Sequence, residues 1–164
     1  MLLLNAAEVR RALPMREAID AMKGAFAALS EGSATVPHRA ALPVPRHAGV
    51  SLIMSSYVDS ADRSEEALAV KVVSLFDGNA GRGLARIQAT VLAIEPDTGR
   101  LEALLDGSAL TAIRTAAASG AATELLSRPE SKTLAVFGAG VQARAHVDAI
   151  LAVRPLETVR IYSP

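Results

Sequence analysis

The sequence contains no cysteine and no tryptophan among its 164 residues. The lack of cysteine excludes disulfides, thiol nucleophiles and thiolate metal ligands, and it is typical of a protein in a reducing compartment. Aromatic residues make up only 3% of the chain, which is too few for a platform that stacks single-stranded bases. We therefore expect a cytoplasmic protein that does not bind nucleic acid.

Charge of one sign is also missing, because the 17 basic residues are balanced by 17 acidic ones. No net field attracts nucleic acid or an anionic membrane surface. No stretch approaches the roughly 18 apolar residues that a membrane span needs, so no membrane is expected as a partner. The three histidines lack the spacing of metal ligands, and we predict no metal site.

The first two thirds of the chain predict a mixed helical and antiparallel domain. Asn5 and Glu8 form a capping-box pattern, and apolar residues recur every three or four positions from Pro14 to Gly32, which predicts a helix. The proline-rich residues 35–47 indicate an extended or edge segment. Further strands are predicted at residues 50–57, 68–76, 84–95 and 100–105, with a hairpin turn at residues 95–99.

The pattern changes after an alanine-rich helix that is predicted for residues 108–127, with Ser108 as its cap. A short apolar strand at 133–137, a helix at 141–153 and a strand at 159–162 then predict one βαβ unit. The polar residues 128–132 separate the two patterns. We therefore place the domain boundary between residues 1–127 and residues 128–164.

A glycine-rich turn lies directly between the predicted strand and helix of the βαβ unit. Residues 138–143 read Gly-Ala-Gly-Val-Gln-Ala, which matches the G-x-G-x-x-G/A fingerprint of dinucleotide sites. Free amides and the positive end of the helix dipole favour a pyrophosphate there. The alternative is a turn that binds nothing. No carboxylate follows between Val159 and Pro164, so NAD and NADP both remain open.

Three cations stand among apolar or small residues: Arg39, Lys71 and Arg114. A lysine inside a β-branched strand must snorkel, pair or contact a ligand, because burying an unpaired ammonium is costly. Arg114 has hydroxyl neighbours at Thr111 and Thr115, a combination that suits a carboxylate or phosphate. The alternatives are an outward-facing Lys71 and a surface ion pair at Arg114.

The glycine-rich residues 76–83 lack the lysine of a P-loop and predict a plain strand connection.

The chain as a whole resembles the ornithine cyclodeaminase/mu-crystallin family. The resemblance rests on four segments in the same order and spacing: residues 71–79, 98–99, 106–115 and 138–143. It implies an α/β fold, with an N-terminal α+β substrate and dimerisation domain followed by the first βαβ unit of a truncated Rossmann domain. It also implies a homodimer and a family length of about twice this chain. We therefore expect the 164 residues alone to be inactive.

The resemblance also assigns roles to particular residues. Arg39, Lys71 and Arg114 would surround the carboxylate and the nitrogen of a small amino or imino acid, with Lys71 also catalytic. The residues that would hold the phosphates of NAD or NADP are Thr115, Gly138, Ala139, Gly140, Val141, Gln142 and Ala143. An acid/base aspartate of the family would follow Pro164.

The implied chemistry is NAD(P)-dependent hydride transfer at the carbon that bears nitrogen. In the cyclodeaminase direction, ornithine gives proline and ammonia. The alternatives are reduction of a cyclic ketimine such as pyrroline-2-carboxylate, an activity like that of alanine dehydrogenase, and a non-catalytic protein that binds NADPH in the manner of mu-crystallin.

Overall fold

The computed structural model describes all 164 residues and contains both helices and strands, in agreement with the predicted α/β class. The four α-helices are α1 (Ala6–Ala12), α2 (Met15–Glu31), α3 (Gly107–Leu126) and α4 (Val141–Leu151). The nine strands are β1 (Leu2–Leu4), β2 (Ala34–Thr35), β3 (Ala40–Val44), β4 (Gly49–Val58), β5 (Ala67–Phe76), β6 (Ile87–Ile94), β7 (Leu101–Asp106), β8 (Thr133–Phe137) and β9 (Thr158–Tyr162). Short 3-10 helices occupy Pro45–His47 and Asp77–Arg82.

The chain divides into two compact units. The sheet unit comprises Met1–Val9 and Ala27–Leu110, and the helical unit comprises Arg10–Phe26 and Thr111–Pro164. Helices α1, α2 and α3 each contribute residues to both units. The boundary predicted at residues 127 and 128 remains a prediction about the domains of the family fold.

The sheet unit contains a seven-stranded sheet in the order β1-β7-β6-β5-β4-β2, and β3 also pairs with β4. Its pairs are antiparallel, as predicted, except that β1 runs parallel to β7. Strand β1 was not predicted, because its three leucines carry no alternation of apolar and polar residues. The proline-rich segment pairs only with β4, so its prediction as an edge is confirmed.

Turn and cap residues determine how these strands and helices connect. The amide of Asn5 donates to Glu8 Oε2 over 2.9 Å, which confirms the predicted capping box. Gly99 adopts a φ of +71°, as the hairpin turn requires. The prediction of Ser108 as a cap is wrong: the Ala109 amide donates to Asp106 Oδ1 over 2.7 Å, because helix α3 begins one residue earlier, at Gly107.

The helical unit contains the predicted βαβ motif. Strands β8 and β9 pair in parallel over five residues each, with α4 between them in the chain. Small residues let its helices pack closely: a Cβ on Gly120 would lie 2.8 Å from Ile19 Cδ1 and 3.4 Å from Ala149 Cβ. Ile19 and Ala149 are fully buried. The alanine-rich character of α3 therefore serves helix packing, as predicted.

Arg154 fixes the end of α3 in the same unit. Its side chain is buried, and its guanidinium donates to Ser127 Oγ over 2.8 Å and to carbonyl oxygens near the helix end. The carbonyl acceptors belong to Thr123, Glu124, Ser127, Arg128 and Val153. A cation at a helix C-terminus is favoured by the helix dipole, so these carbonyls compensate a buried charge that has no carboxylate partner.

Candidate functional site

The glycine turn has the backbone that an anion site needs. Gly138 follows β8 with a φ of +103°, a conformation that residues with a Cβ rarely adopt. Gly140 is the N-cap of α4, and no side chain caps that helix end. A Cβ on either glycine would meet no atom within 4 Å, so the turn is open to an approaching ligand. The first amides of α4 are thus left for an external acceptor.

A cavity of about 580 Å³ adjoins this turn within the helical unit. Its lining includes Gly138, Gly140 and Gln142 of the turn, together with apolar residues of β8. The volume lies within the usual range of roughly 300 to 1,000 Å³ for small-molecule sites. The glycine turn and its cavity therefore fit the diphosphate part of a dinucleotide.

Two residues of the cavity were not predicted from the sequence. Ser119 lines the cavity from helix α3, and His146 lines it from α4, with its Nδ1 at 2.7 Å from the Gln142 carbonyl oxygen. Ser119 follows Thr111 and Thr115 at a spacing of four residues, so the three hydroxyl groups share one face of α3. This periodic hydroxyl pattern is the signal that points to Ser119.

Lys71 lies in the middle of β5, in the sheet unit. Its cross-strand neighbours are Met54 on β4 and Val91 on β6, so the three side chains share one face of the sheet. Val91 is only 6% exposed, and Lys71 is half-buried. The lysine therefore stands on the covered face of the sheet, beside apolar side chains that lower the local polarity.

Arg39 immediately precedes β3, whose first residue, Ala40, pairs with Ile53 on β4. Met54, the next residue of β4, pairs with Lys71 on β5. Arg39 itself precedes the paired residues and is exposed. The structure thus places Arg39 immediately before β3, with β4 between this strand and the strand that carries Lys71.

Arg114 and Thr115 lie on α3 within the helical unit. The stripe of α3 that is buried includes Ala112, Ile113, Ala116 and Ala117, whereas Arg114 is exposed and Thr115 is half-buried. Arg114 makes no hydrogen bond or ion pair with the protein, so its guanidinium is available to a ligand.

The structure contains neither a candidate metal site nor a helix that could span a membrane. No group of three or more His, Cys, Asp or Glu side chains is placed to hold a metal ion. No helix combines the length and the apolar character that crossing a bilayer requires.

Comparison with known proteins identifies the family. A sequence profile described as "Ornithine cyclodeaminase/mu-crystallin family" matches residues 1–164. The chain belongs to the ornithine cyclodeaminase/mu-crystallin family.

Three similar proteins illustrate the range of this family. A solved structure of Thermococcus litoralis Δ1-pyrroline-2-carboxylate reductase with NADH and L-proline is 42% identical, with a TM-score of 0.88 over 99% of this chain and 49% of that one. A Bacillus cereus Δ1-pyrroline-2-carboxylate reductase is 37% identical over 163 residues, which are 99% of this chain and 49% of the relative. A lysine cyclodeaminase structure is 34% identical, with a TM-score of 0.78 over 99% of this chain and 49% of that chain.

The chain spans about half the length of the relatives it matches. The family and the fold are therefore established for the residues present, whereas the activity of a whole protein is a matter for a proposal.

Proposed function

We propose that this chain forms the N-terminal half of an NAD(P)H-dependent reductase that acts on a small cyclic imino acid with a carboxylate beside the C=N bond. The observation that carries the proposal is the 42% identity, over nearly the whole chain, to a pyrroline-2-carboxylate reductase solved with NADH and L-proline. The open glycine turn and the half-buried Lys71 agree with it.

In the proposed enzyme, residues of the helical unit hold the cofactor. The amides at the start of α4 bind the pyrophosphate, and Gly138 and Gly140 leave room for it. Thr115 donates a hydroxyl to the cofactor phosphates. When bound, the nicotinamide supplies a hydride to the carbon that bears nitrogen.

The substrate part of the proposal uses the three cations. Lys71 and Arg39 bind the carboxylate, and Arg114 offers a forked guanidinium to the same class of group. Met54 and Val91 flank Lys71 and exclude water from its ammonium, which strengthens its attraction for the carboxylate. These residues orient the substrate and contribute to the rate by positioning it.

Activity can be tested on the chain itself and on a fusion with the C-terminal half of the Thermococcus litoralis reductase. With pyrroline-2-carboxylate, the fusion should oxidise NADH or NADPH and form proline, whereas the 164 residues alone should show no turnover. Cofactor binding without oxidation would contradict the reductase and favour a binding protein of the mu-crystallin kind.

Replacing Lys71 tests its role directly. In the fusion, Lys71→Ala should lower kcat/KM by at least about 100-fold, because the carboxylate loses its half-buried cation, while the Kd of NADH stays unchanged. The matched control is Lys132→Ala, which removes an exposed lysine paired with Glu157. Unchanged kinetics for Lys71→Ala would remove Lys71 from the proposed site.

Cyclodeamination is the second candidate, and the 34% identity to a lysine cyclodeaminase favours it. In this direction the substrate is a diamino acid such as ornithine, and ammonia is released. Incubation of the same fusion with ornithine and NAD separates the two activities. Formation of proline and ammonia from ornithine would establish the cyclodeaminase, because an enzyme that only reduces the preformed cyclic imine cannot begin from ornithine.

We also propose that the protein is a homodimer in the cytoplasm. The face of the sheet opposite Lys71 carries Leu3, Leu42 and Ile53, which are 66%, 62% and 45% exposed. These residues lie towards both edges of the sheet, and exposed apolar side chains on one sheet face are typical of an interface that a second copy would cover. Ile53→Lys should convert a dimer to a monomer in light scattering, whereas Leu125→Lys on α3 should not.

A further inference from the structure

A second cavity lies at one end of the large sheet, within the sheet unit. Its volume is about 480 Å³, and it opens where the β3–β4 turn meets the connection between β5 and β6. Gly49 and Phe76 pair across β4 and β5, and a Cβ on Gly49 would lie 2.5 Å from the Phe76 ring. Glycine at position 49 therefore lets the ring lie against the strand at the cavity wall.

Both connections are ordered by local hydrogen bonds. The Ala48 amide donates to the Pro45 carbonyl over 3.1 Å, and the Gly83 amide donates to the Ala80 carbonyl over 3.3 Å. Asn79 Nδ2 donates to the Ala85 carbonyl over 2.9 Å. The cavity walls are thus held in place by the fold, and a ligand need not order them.

The lining of this cavity is basic. It includes Arg46, His47 and Arg82 and no acidic side chain. None of these three side chains makes a hydrogen bond or an ion pair with the protein. The nearby carboxylate of Asp77 accepts a hydrogen bond from Arg86 Nε over 2.7 Å, so it is engaged by another cation. We call Arg46, His47 and Arg82 the basic cluster.

We propose that this cavity is a binding site for a phosphorylated small molecule. Two guanidinium groups match the two charges of a phosphate monoester and can each form forked hydrogen bonds with its oxygens. The Phe76 ring and Pro45 offer an apolar surface to the organic part of the ligand. Its residues all belong to the sheet unit, whereas the glycine turn belongs to the helical unit.

The size of the cavity supports a ligand larger than phosphate itself. About 480 Å³ falls in the range of roughly 300 to 1,000 Å³ that small-molecule sites occupy, well above the space that one phosphate group needs. A monoester that joins phosphate to an aromatic or sugar ring would use both the basic cluster and the apolar wall. This proposal does not depend on the reductase activity.

Phenyl phosphate is a suitable probe, with phenol and benzoate as comparisons. Titration of the 164-residue chain, followed by amide chemical shifts at moderate salt, should show saturable changes at Arg46, His47, Asn79 and Arg82. Phenol should not bind, and benzoate should bind at least about tenfold more weakly, because it carries one charge instead of two.

A charge-matched pair of variants tests the basic cluster. Arg46→Gln with Arg82→Gln should raise the Kd of phenyl phosphate at least about tenfold. The control, Arg63→Gln with Arg100→Gln, removes two exposed arginines of the same unit and should leave it within about twofold.

Several results would overturn the proposal. They are shift changes confined to residues 138–143, equal weakening by both double variants, binding of benzoate as tight as that of phenyl phosphate, and absence of saturable binding. Saturating NADH should leave the phenyl phosphate titration unchanged, and its displacement by NADH would assign the binding to the cofactor turn.

Discussion

The sheet unit and the helical unit are stabilised in different ways. In the sheet unit, β4 and β5 pair over ten residues each, and the covered face contains Val91 at 6% exposure. In the helical unit, the sheet has only two strands, and every residue of β9 is exposed. Two strands alone are marginally stable in water. The helical unit therefore depends on the packing of α2, α3 and α4 and on Arg154.

This difference shows where each unit is vulnerable. In the sheet unit, backbone hydrogen bonds are spread over many paired residues. The loss of one side chain therefore removes only a small part of its stability. The stability of the helical unit depends on a few close contacts, namely Gly120 against Ile19 and Arg154 against the end of α3. Single substitutions should therefore lower the stability of the helical unit more than that of the sheet unit. The exception is a sheet position where a larger side chain has no space.

The largest effect is expected for Arg154→Ala. It removes the guanidinium donors to the half-buried carbonyls at the end of α3 and the packing of a buried side chain, which should lower the free energy of unfolding by about 3 kcal/mol. Hydrogen exchange should increase in residues 111–164 while β4 and β5 stay protected. Arg160→Ala, at an exposed position of β9, should change stability by less than about 0.5 kcal/mol.

Equal deprotection of both units by Arg154→Ala would remove the distinction between them. It would mean that the end of α3 is needed for the whole fold, and the chain would then unfold as a single cooperative body.

Gly107→Ala tests the exception within the sheet unit. The new Cβ would lie 2.7 Å from the Ala89 carbonyl carbon and 2.8 Å from the Thr90 amide nitrogen. Backbone atoms in the middle of a sheet have little freedom to move, so we expect a loss of about 2 kcal/mol in urea unfolding. Gly24→Ala, where no atom lies within 4 Å, should instead raise stability, because alanine favours the helix.

Gly120→Ala should have a smaller effect than Gly107→Ala. Its Cβ would press on the side chain of Ile19, and side-chain atoms yield more readily than backbone. The gain in helix propensity offsets part of this cost, so the expected net loss is about 1 kcal/mol. Thermal unfolding of the two variants side by side provides the comparison. A greater loss for Gly120→Ala would show that the helix contact is the tighter of the two.

The smallest effect concerns acid stability. Hydrogen bonds from Arg16 and Lys23 lower the pKa of Glu124 from 4.5 to about 2. A carboxyl with a lowered pKa stabilises the fold above its unfolded value, and this contribution is lost as the pH falls from 4.5 through 2. Glu124→Gln should therefore flatten the decline in stability in this range. Glu17→Gln, at an exposed position of α2, is the control.

Local patterns predicted most of the fold. The helix before Gly32, the capping box at Asn5 and the hairpin at Gly99 follow from spacing and turn chemistry within a few residues. Two predictions failed at boundaries: Asp106 caps α3 in place of Ser108, and the strand predicted from residue 84 begins at Ile87. Both errors arise because several neighbouring residues are suited to begin the helix or the strand, so the pattern does not define the first residue.

The candidate site was predictable only in part. Lys71 was predicted as a site residue because it is a charged residue in an apolar strand. The glycine turn was predicted from its motif. Met54 and Val91 give no signal of their own, because their place beside Lys71 is set by strand register. The basic cluster joins two loops that are about 30 residues apart in the chain, and no local pattern relates them.

The sequence by itself determined the types of element, the βαβ unit with its glycine turn, and the family to which the chain belongs, because each of these is encoded in short spacings. Only the tertiary structure decided which face of the sheet Lys71 occupies, which carbonyls Arg154 caps, and that Arg46 and Arg82 line one cavity. Register and packing join residues that are distant in the chain. Their energies depend on space and burial, which spacing along the chain does not record.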